Sequence, residues 1–396
     1  MKGLYAANTL SAFWGMPPEV SNEIMQEAVR QAAEILPHGD QIFEASGWEG
    51  LMEHILGEGQ FGPDHWQLSR PKRLYYELRP FLPGRVRPLL RLFMRGRQQD
   101  AFPLGWPVED RYVCFVYEVL AGIQRCLATV RPVPFWPSEA SFAFVITHDV
   151  EAAVGQSHVR ALAAVDERYG FRSSFNFVPE LYQVDHALLA ELRQRGFEIG
   201  VHGLKHDGKL FSTQAEFERR AAAINRYLKE WDAVGFRAPF THRNPEWMQS
   251  LEIEYDLSFF DTDPYETISG GTMSIWPFFC GRFVELPYTL VQDHALFESA
   301  GQATAQLWLE KVDFIARWGG MALLNAHPDH LRQPERLAVY ESFLQQMAER
   351  IRRSQAGDSP TCWHALPRDI ARWWWSRATA ISSGAQRLTP LMFPPS

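Results

Sequence analysis

Cysteine is scarce in this chain: Cys114, Cys126, Cys280 and Cys362 are four thiols scattered over 396 residues, with no CxxC pair among them. That excludes a disulfide-stapled scaffold and a thiolate metal site, so the four read as reduced, mostly buried thiols. Positive charge is not in excess either. A net charge of −8 excludes a nucleic-acid binder, which needs a basic face. No apolar run approaches the roughly 20 residues that cross a bilayer. In the opening MKGLYAANTLSAFWGMPP, Asn8, Thr9 and Ser11 interrupt the apolar residues, so no signal peptide is expected and the reading is cytoplasmic. Internal repeats and low-complexity tracts are missing too.

What is present is an ordinary globular balance, 46% hydrophobic and 22% charged, in a chain long enough for more than one minimal domain. Its character changes near residue 135, at the proline-rich RPVPFWPSE (131–139), because proline disfavours both continuing helix and central strand. Before that point lie helical patterns such as 23–36 and a basic stretch, 70–98. After it, short apolar runs alternate with amphipathic stretches. The runs are FAFVIT (142–147), SSFNFV (173–178), FEIGV (197–201), AVGFR (233–237), LSFF (257–260), RFVEL (282–286) and MALLNA (321–326). The helical stretches are 158–169, 185–195, 213–230, 302–318 and 334–353. This alternation predicts βα units around a largely parallel sheet. The fold class is α/β: a distorted (β/α)7 barrel, complete or short of full closure, over 136–353. A mainly helical extension (1–135) precedes it, and a Trp-rich tail (354–396) follows.

The titratable residues fall at strand exits. Asp149 and Glu151 follow the first run in THDVE, and His202 and His206 follow the third in VHGLKH. Arg237 closes the fourth in FRAPF; Asp261 and Asp263 follow the fifth in FFDTDP; His327 follows the last in NAHPD. In a parallel barrel all carboxyl ends open on one face, so these residues converge. Two imidazoles four residues apart can reach one ion, although such pairs also arise as one packed and one solvated histidine. Asp149 and Glu151 alternate and so point the same way, one to bind the ion and the other to take a proton from water. The bland alternative is an acidic turn capping the next helix. His327 has a pKa range suited to a general acid, or else simply packs. Arg237, leaving a buried strand, steadies a carboxylate rather than forming a surface pair. Asp261 and Asp263 read equally as turn formers before Pro264 or as catalytic groups.

The ordered set THDVE, HGLKH, FRAPF, FFDTDP and NAHPD resembles the polysaccharide deacetylase family, also called the nodulation-deacetylase homology domain or carbohydrate esterase family four, over about residues 136–330. The resemblance implies a distorted (β/α) barrel using Zn2+, or another divalent ion, to hydrolyse N-acetyl groups on amino sugars. It implies Asp149 as base, and Glu151, His202 and His206 as metal ligands. Arg237 would orient the base, and His327 would act as general acid with an aspartate of FFDTDP (Asp261 or Asp263) beside it. Three departures stand out: Val150 separates the two carboxylates of the first motif, Phe240 replaces the tyrosine after Arg-x-Pro, and the fourth motif lacks its tryptophan.

The expected function is therefore removal of an acetyl or other acyl group from an amide nitrogen, in an N-acetylated sugar or polysaccharide precursor. Two alternatives stay open: a glycan-binding relative without catalysis, and a hydrolase of a non-carbohydrate amide or cyclic imide. The facial triad of non-haem iron oxygenases shares the ligand types, but its usual double-stranded β-helix does not match the alternation here. The 70–98 stretch, arginines among Leu89, Leu90, Leu92, Phe93 and Met94, reads as a helix on the barrel or as a surface docking to membrane or partner.

Overall fold

A computed structural model of the chain describes residues 3–63, 65–68, 102–298, 304–355, 357 and 360–383. The whole 70–98 stretch read above as a docking surface lies outside the described residues.

The centre of the molecule is β1 (Phe142–Val150), whose nine residues are all buried. Such continuous β-branched and aromatic runs suit a strand covered on both faces. Parallel to it run β2 (Ser174–Phe177), β3 (Glu198–His202), β4 (Gly235–Arg237) and β5 (Tyr255–Asp256) on one side, and β8 (Met321–Ala326) on the other. The sheet continues from β5 to β7 (Phe283–Glu285), which β6 (Phe278–Cys280) pairs antiparallel. A short β9 (Cys362–His364) lies beside the start of β1. The chain beyond β7 closes the curl: Tyr288 N–H donates to Phe259 O at 3.0 Å, and Leu290 N–H donates to Leu323 O of β8 at 3.0 Å. The architecture is thus a barrel-like α/β fold whose last seam is irregular chain rather than a ladder.

The fifth strand differs from expectation. The run 257–260 was expected to form it, yet regular pairing ends at Asp256 and only an isolated bridge, Phe260 to Tyr288, remains. Side chains take the donors the ladder needs: Ser258 N–H donates to Asp256 Oδ2 at 3.0 Å, and Phe259 N–H to Glu285 Oε1 at 3.1 Å. Strands β6 and β9 were not anticipated.

The outer helices follow the amphipathic stretches. Val159–Arg168, His186–Gln194, Gln214–Glu230 and Gln306–Trp318 each bury an apolar stripe. Asp185 and Thr213 cap two of them, accepting from backbone N–H groups of the first turn. Before the barrel, Asn22–Ala32 packs on Arg111–Cys126. Asn8 takes up the free edge of β6, its Nδ2 donating to Phe279 O at 2.8 Å and its Oδ1 accepting from Phe279 N–H at 2.7 Å. The Trp-rich segment belongs to the helix Pro367–Ser382, which buries Trp373 and Trp374 and leaves Trp375 exposed. The cysteines are all free thiols, but only Cys280 is buried and Cys126 is exposed, correcting the expectation of mostly buried thiols. No described helix is long and apolar enough to cross a membrane.

Candidate metal centre

At the carboxyl ends of β1, β3, β4 and β8 the structure gathers Asp149, Glu151, His202, His206, Arg237 and His327. His202 is the last residue of β3 and pairs in register with Arg237 of β4. Its Nδ1 lies 3.1 Å from Arg237 O. A carbonyl only accepts, so Nδ1 carries the hydrogen and the Nε2 lone pair faces the cluster. His206 returns to the same point because the chain turns sharply after β3. Gly203 has φ of +63°, and a Cβ there would meet Pro239 Cδ at 2.4 Å, so this turn needs glycine. His206 itself is left-handed, with φ of +48°.

Glu151 completes a cage. Its Oε1 lies 3.0 Å from His206 Nε2 and 4.0 Å from His202 Nε2, and one ligand atom from each of the three falls within 4.8 Å of the others. Asp329 Oδ2 accepts the Glu151 backbone N–H at 3.0 Å and so fixes the turn. Both Nε2 atoms are buried and lack a hydrogen-bond donor. Buried imidazole nitrogens are normally satisfied, so two lone pairs converging on a carboxylate fit a divalent ion. Burial pushes the Glu151 carboxyl up, but the His206 and His202 rings outweigh it and hold it well below the usual carboxylate range.

Asp149 stands beside the cage, held by other groups. Its Oδ1 accepts from Arg237 at 3.0 Å and from Asn176 Nδ2 at 2.9 Å, and its Oδ2 from Asn325 Nδ2 at 3.0 Å. Arg237 is anchored in turn, donating to Leu257 O at 2.8 Å and to Thr147 Oγ1 at 3.0 Å. Burial would raise the Asp149 carboxyl, but Arg237, with His202 and His327, outweighs it, and the group stays ionised far below its ordinary value.

His327 faces both carboxylates, its Nε2 being 4.0 Å from Asp149 Oδ2 and 3.9 Å from Glu151 Oε1. Behind it, Nδ1 lies 2.6 Å from Asp293 Oδ1, and the His327 backbone N–H donates to Asp293 Oδ2 at 2.8 Å. Burial works against the charged ring, but Asp293, then Glu151 and Asp149, raise it from 6.5 to about 10. Asp293, His294 and His327 also bring ligand atoms within 4.8 Å. Asp293 Oδ1, however, already takes the His294 N–H and His327 Nδ1, which reads as a His–Asp dyad.

Two expected residues sit elsewhere. Asp261 pairs with Lys311, Nζ to Oδ2 at 2.8 Å, and Asp263 accepts from Tyr288 Oη at 3.0 Å. Burial raises these carboxyls, to about 6 in Asp261 and about 7 in Asp263. The aspartate beside His327 is Asp293 and neither of these, because the FFDTDP side chains are engaged by a helix cation and a tyrosine. Asn176, Asn325 and Asp293 were missed by the sequence reading. The first two are lone amides inside apolar runs, a signal in itself, since a buried amide must be bonded.

No family model matches the chain, and no curated relative matches it. Solved structures do. A Mycobacterium smegmatis structure named as a polysaccharide deacetylase is 19% identical, covering 66% of this chain and 97% of its own, with a TM-score of 0.48. Another so named, from Pseudomonas aeruginosa PAO1, is 18% identical over 62% of this chain and 95% of its own, at 0.48. Puue allantoinase is 16% identical over 63% and 95%, at 0.47. Likeness at this level assigns no activity.

Proposed function

We propose that this protein is a metal-dependent hydrolase that removes an acetyl or related acyl group from an amide nitrogen of an N-acetylated sugar. The single observation that carries the reading is the cage: two buried, unbonded imidazole nitrogens facing Glu151, with a second carboxylate held just outside it. Glu151, His202 and His206 would hold Zn2+ or a similar ion. When bound, such an ion polarises the acyl oxygen and brings the pKa of a bound water toward about 7.

The chain's own residues divide the remaining work. Asp149 accepts the proton of the attacking water; its bonds to Arg237, Asn176 and Asn325 fix where that proton lands. Arg237 is a positioning residue acting through Asp149. His327, kept protonated by Asp293, faces the centre from the other side and delivers a proton to the departing nitrogen. Asp261 and Asp263 are left to structure.

The test is acetate release from a panel of N-acetylated sugars by zinc-loaded protein. Asp149→Asn is expected to keep its metal and lose about 10²–10⁴-fold in turnover. Turnover on a cyclic imide but on no sugar would move the reading to the non-carbohydrate amidases. Failure on every amide would leave a glycan-binding protein.

A further inference from the structure

Asp293 gathers more imidazole than a His–Asp dyad needs. It opens the helix Asp293–Glu298, and three rings surround it. His294 comes from the same helix. His327 and His330 come from the turn after β8, which the His330 N–H closes on His327 O at 2.9 Å. Their ring centres lie 5.1 Å (His327–His330), 5.9 Å (His294–His327) and 6.3 Å (His294–His330) apart. Two imidazoles on one zinc, each nitrogen about 2.1 Å from it, place their ring centres about 5 Å apart. The two rings of the Glu151 cage, His202 and His206, stand at 5.1 Å. The second group therefore has nearly the ring spacing of the first, and one imidazole more.

The ligand atoms agree with the rings. Asp293, His294 and His327 each offer one within 4.8 Å of the other two. His330 adds a fourth: its Nδ1 lies 3.7 Å from Asp293 Oδ1 and is buried without a hydrogen-bond partner. Ligand atoms on a tetrahedral zinc stand about 3.4 Å apart, so this nitrogen is placed for an ion rather than for a hydrogen bond. One carboxylate and three imidazoles are a zinc ligand set. Asp293 and His327 are buried, while His294 and His330 are half-buried, so an ion can enter from their side.

Filling this group has a cost that the Glu151 cage does not. The 2.6 Å contact between His327 Nδ1 and Asp293 Oδ1 holds a proton, which an ion must displace, and the two atoms must part by about 0.8 Å. In the cage both Nε2 atoms already stand without a donor. The second ion therefore binds more weakly, and desalted protein keeps the cage ion alone. We propose that Asp293, His294, His327 and His330 form a second zinc site, which fills only in excess zinc and switches the centre off. Zinc replaces the proton on His327 Nδ1, and that proton passes to the buffer. The ring keeps its Nε2–H, but giving that up would now leave a zinc-bound imidazolate instead of a neutral imidazole. The departing nitrogen thus loses its proton source. The switch rests on the amide-hydrolase reading above; the site does not.

The test is calorimetric titration of chelator-treated protein with zinc at neutral pH, repeated in buffers of different ionisation enthalpy and paired with acetate release from the sugar panel. The wild type is expected to take two ions, the second roughly tenfold or more weaker and releasing about one proton. His294→Ala and His330→Ala should keep the first event and lose the second; His202→Ala should do the reverse. Excess zinc should cut acetate release by the wild type about tenfold or more and leave His330→Ala unaffected. A single ion at saturation overturns the site, as does a second event that survives in both His294→Ala and His330→Ala. A second ion that leaves release unchanged overturns the switch. Release with one ion only sinks the second site and keeps the hydrolase. Two ions, lost separately in the variants but with no release at any zinc concentration, keep the site and sink the hydrolase.

Discussion

Asp293 contributes charge to His327, not merely shape, and Asp293→Asn separates the two. Asparagine keeps an oxygen that accepts from Nδ1 but removes the carboxylate that opposes burial of the imidazolium. The folded ring titrates at about 10 instead of 6.5. At about 1.4 kcal/mol per pH unit, that difference corresponds to about 4–5 kcal/mol of folding stability in the metal-free protein. The sign follows from proton binding. A raised histidine pKa means the native state holds its proton more tightly than the unfolded chain does. The stabilisation is therefore complete below 6.5 and disappears as pH rises through 10. Urea unfolding of chelator-treated protein is the assay. At pH 6 the wild type should exceed Asp293→Asn by an amount on the order of 2–4 kcal/mol, Asp293 being the largest but not the sole source of the shift, and by pH 11 the gap should vanish or reverse. A gap of equal size at both pH values would show that Asp293 acts through packing alone and lends His327 no charge. The same substitution should lower zinc-loaded turnover by about 10²-fold or more.

Glu198 offers a titration remote from the centre: burial raises its carboxyl to about 7, although Tyr255 Oη donates to it at 2.7 Å. A raised acid pKa costs stability as pH rises from 4.5 through 7. Glu198→Gln should therefore flatten the pH–stability curve in that window and stabilise the protein at pH 8 by about 3 kcal/mol, read by denaturant unfolding. Glu58, fully buried and bound by Arg243, joins the extension to the barrel. Arg243→Met should cost about 3–5 kcal/mol by stranding that carboxylate, and should speed proteolysis of the first 60 or so residues; unchanged melting would remove the lock. Arg237→Met should lose turnover while retaining metal, since the Arg237 side chain bonds Asp149 and only its backbone carbonyl, which the substitution keeps, meets His202; metal loss would place its side chain among the ligand supports.

The parallel strands were legible because β1 and β8 are continuous apolar runs that no amphipathic helix would contain, and because their exits carry the titratable groups. That exit rule names the correct end of the barrel but not the direction of each side chain. It placed Glu151 and the two histidines together, yet it also selected Asp261, whose carboxylate turns to Lys311. Asp293 escaped because the chain from Leu286 to Gln292 completes the barrel without a regular ladder and shows no strand-then-turn punctuation. The pairing of a β4 carbonyl with His202 Nδ1 was likewise invisible, since it depends on register across two strands.

Metal content per chain tests the cage most directly, measured after zinc reconstitution and desalting. Close to one zinc is expected in the wild type and in Asp149→Asn, and near none in His202→Ala or His206→Ala. Stoichiometric zinc in the folded histidine variants would contradict it.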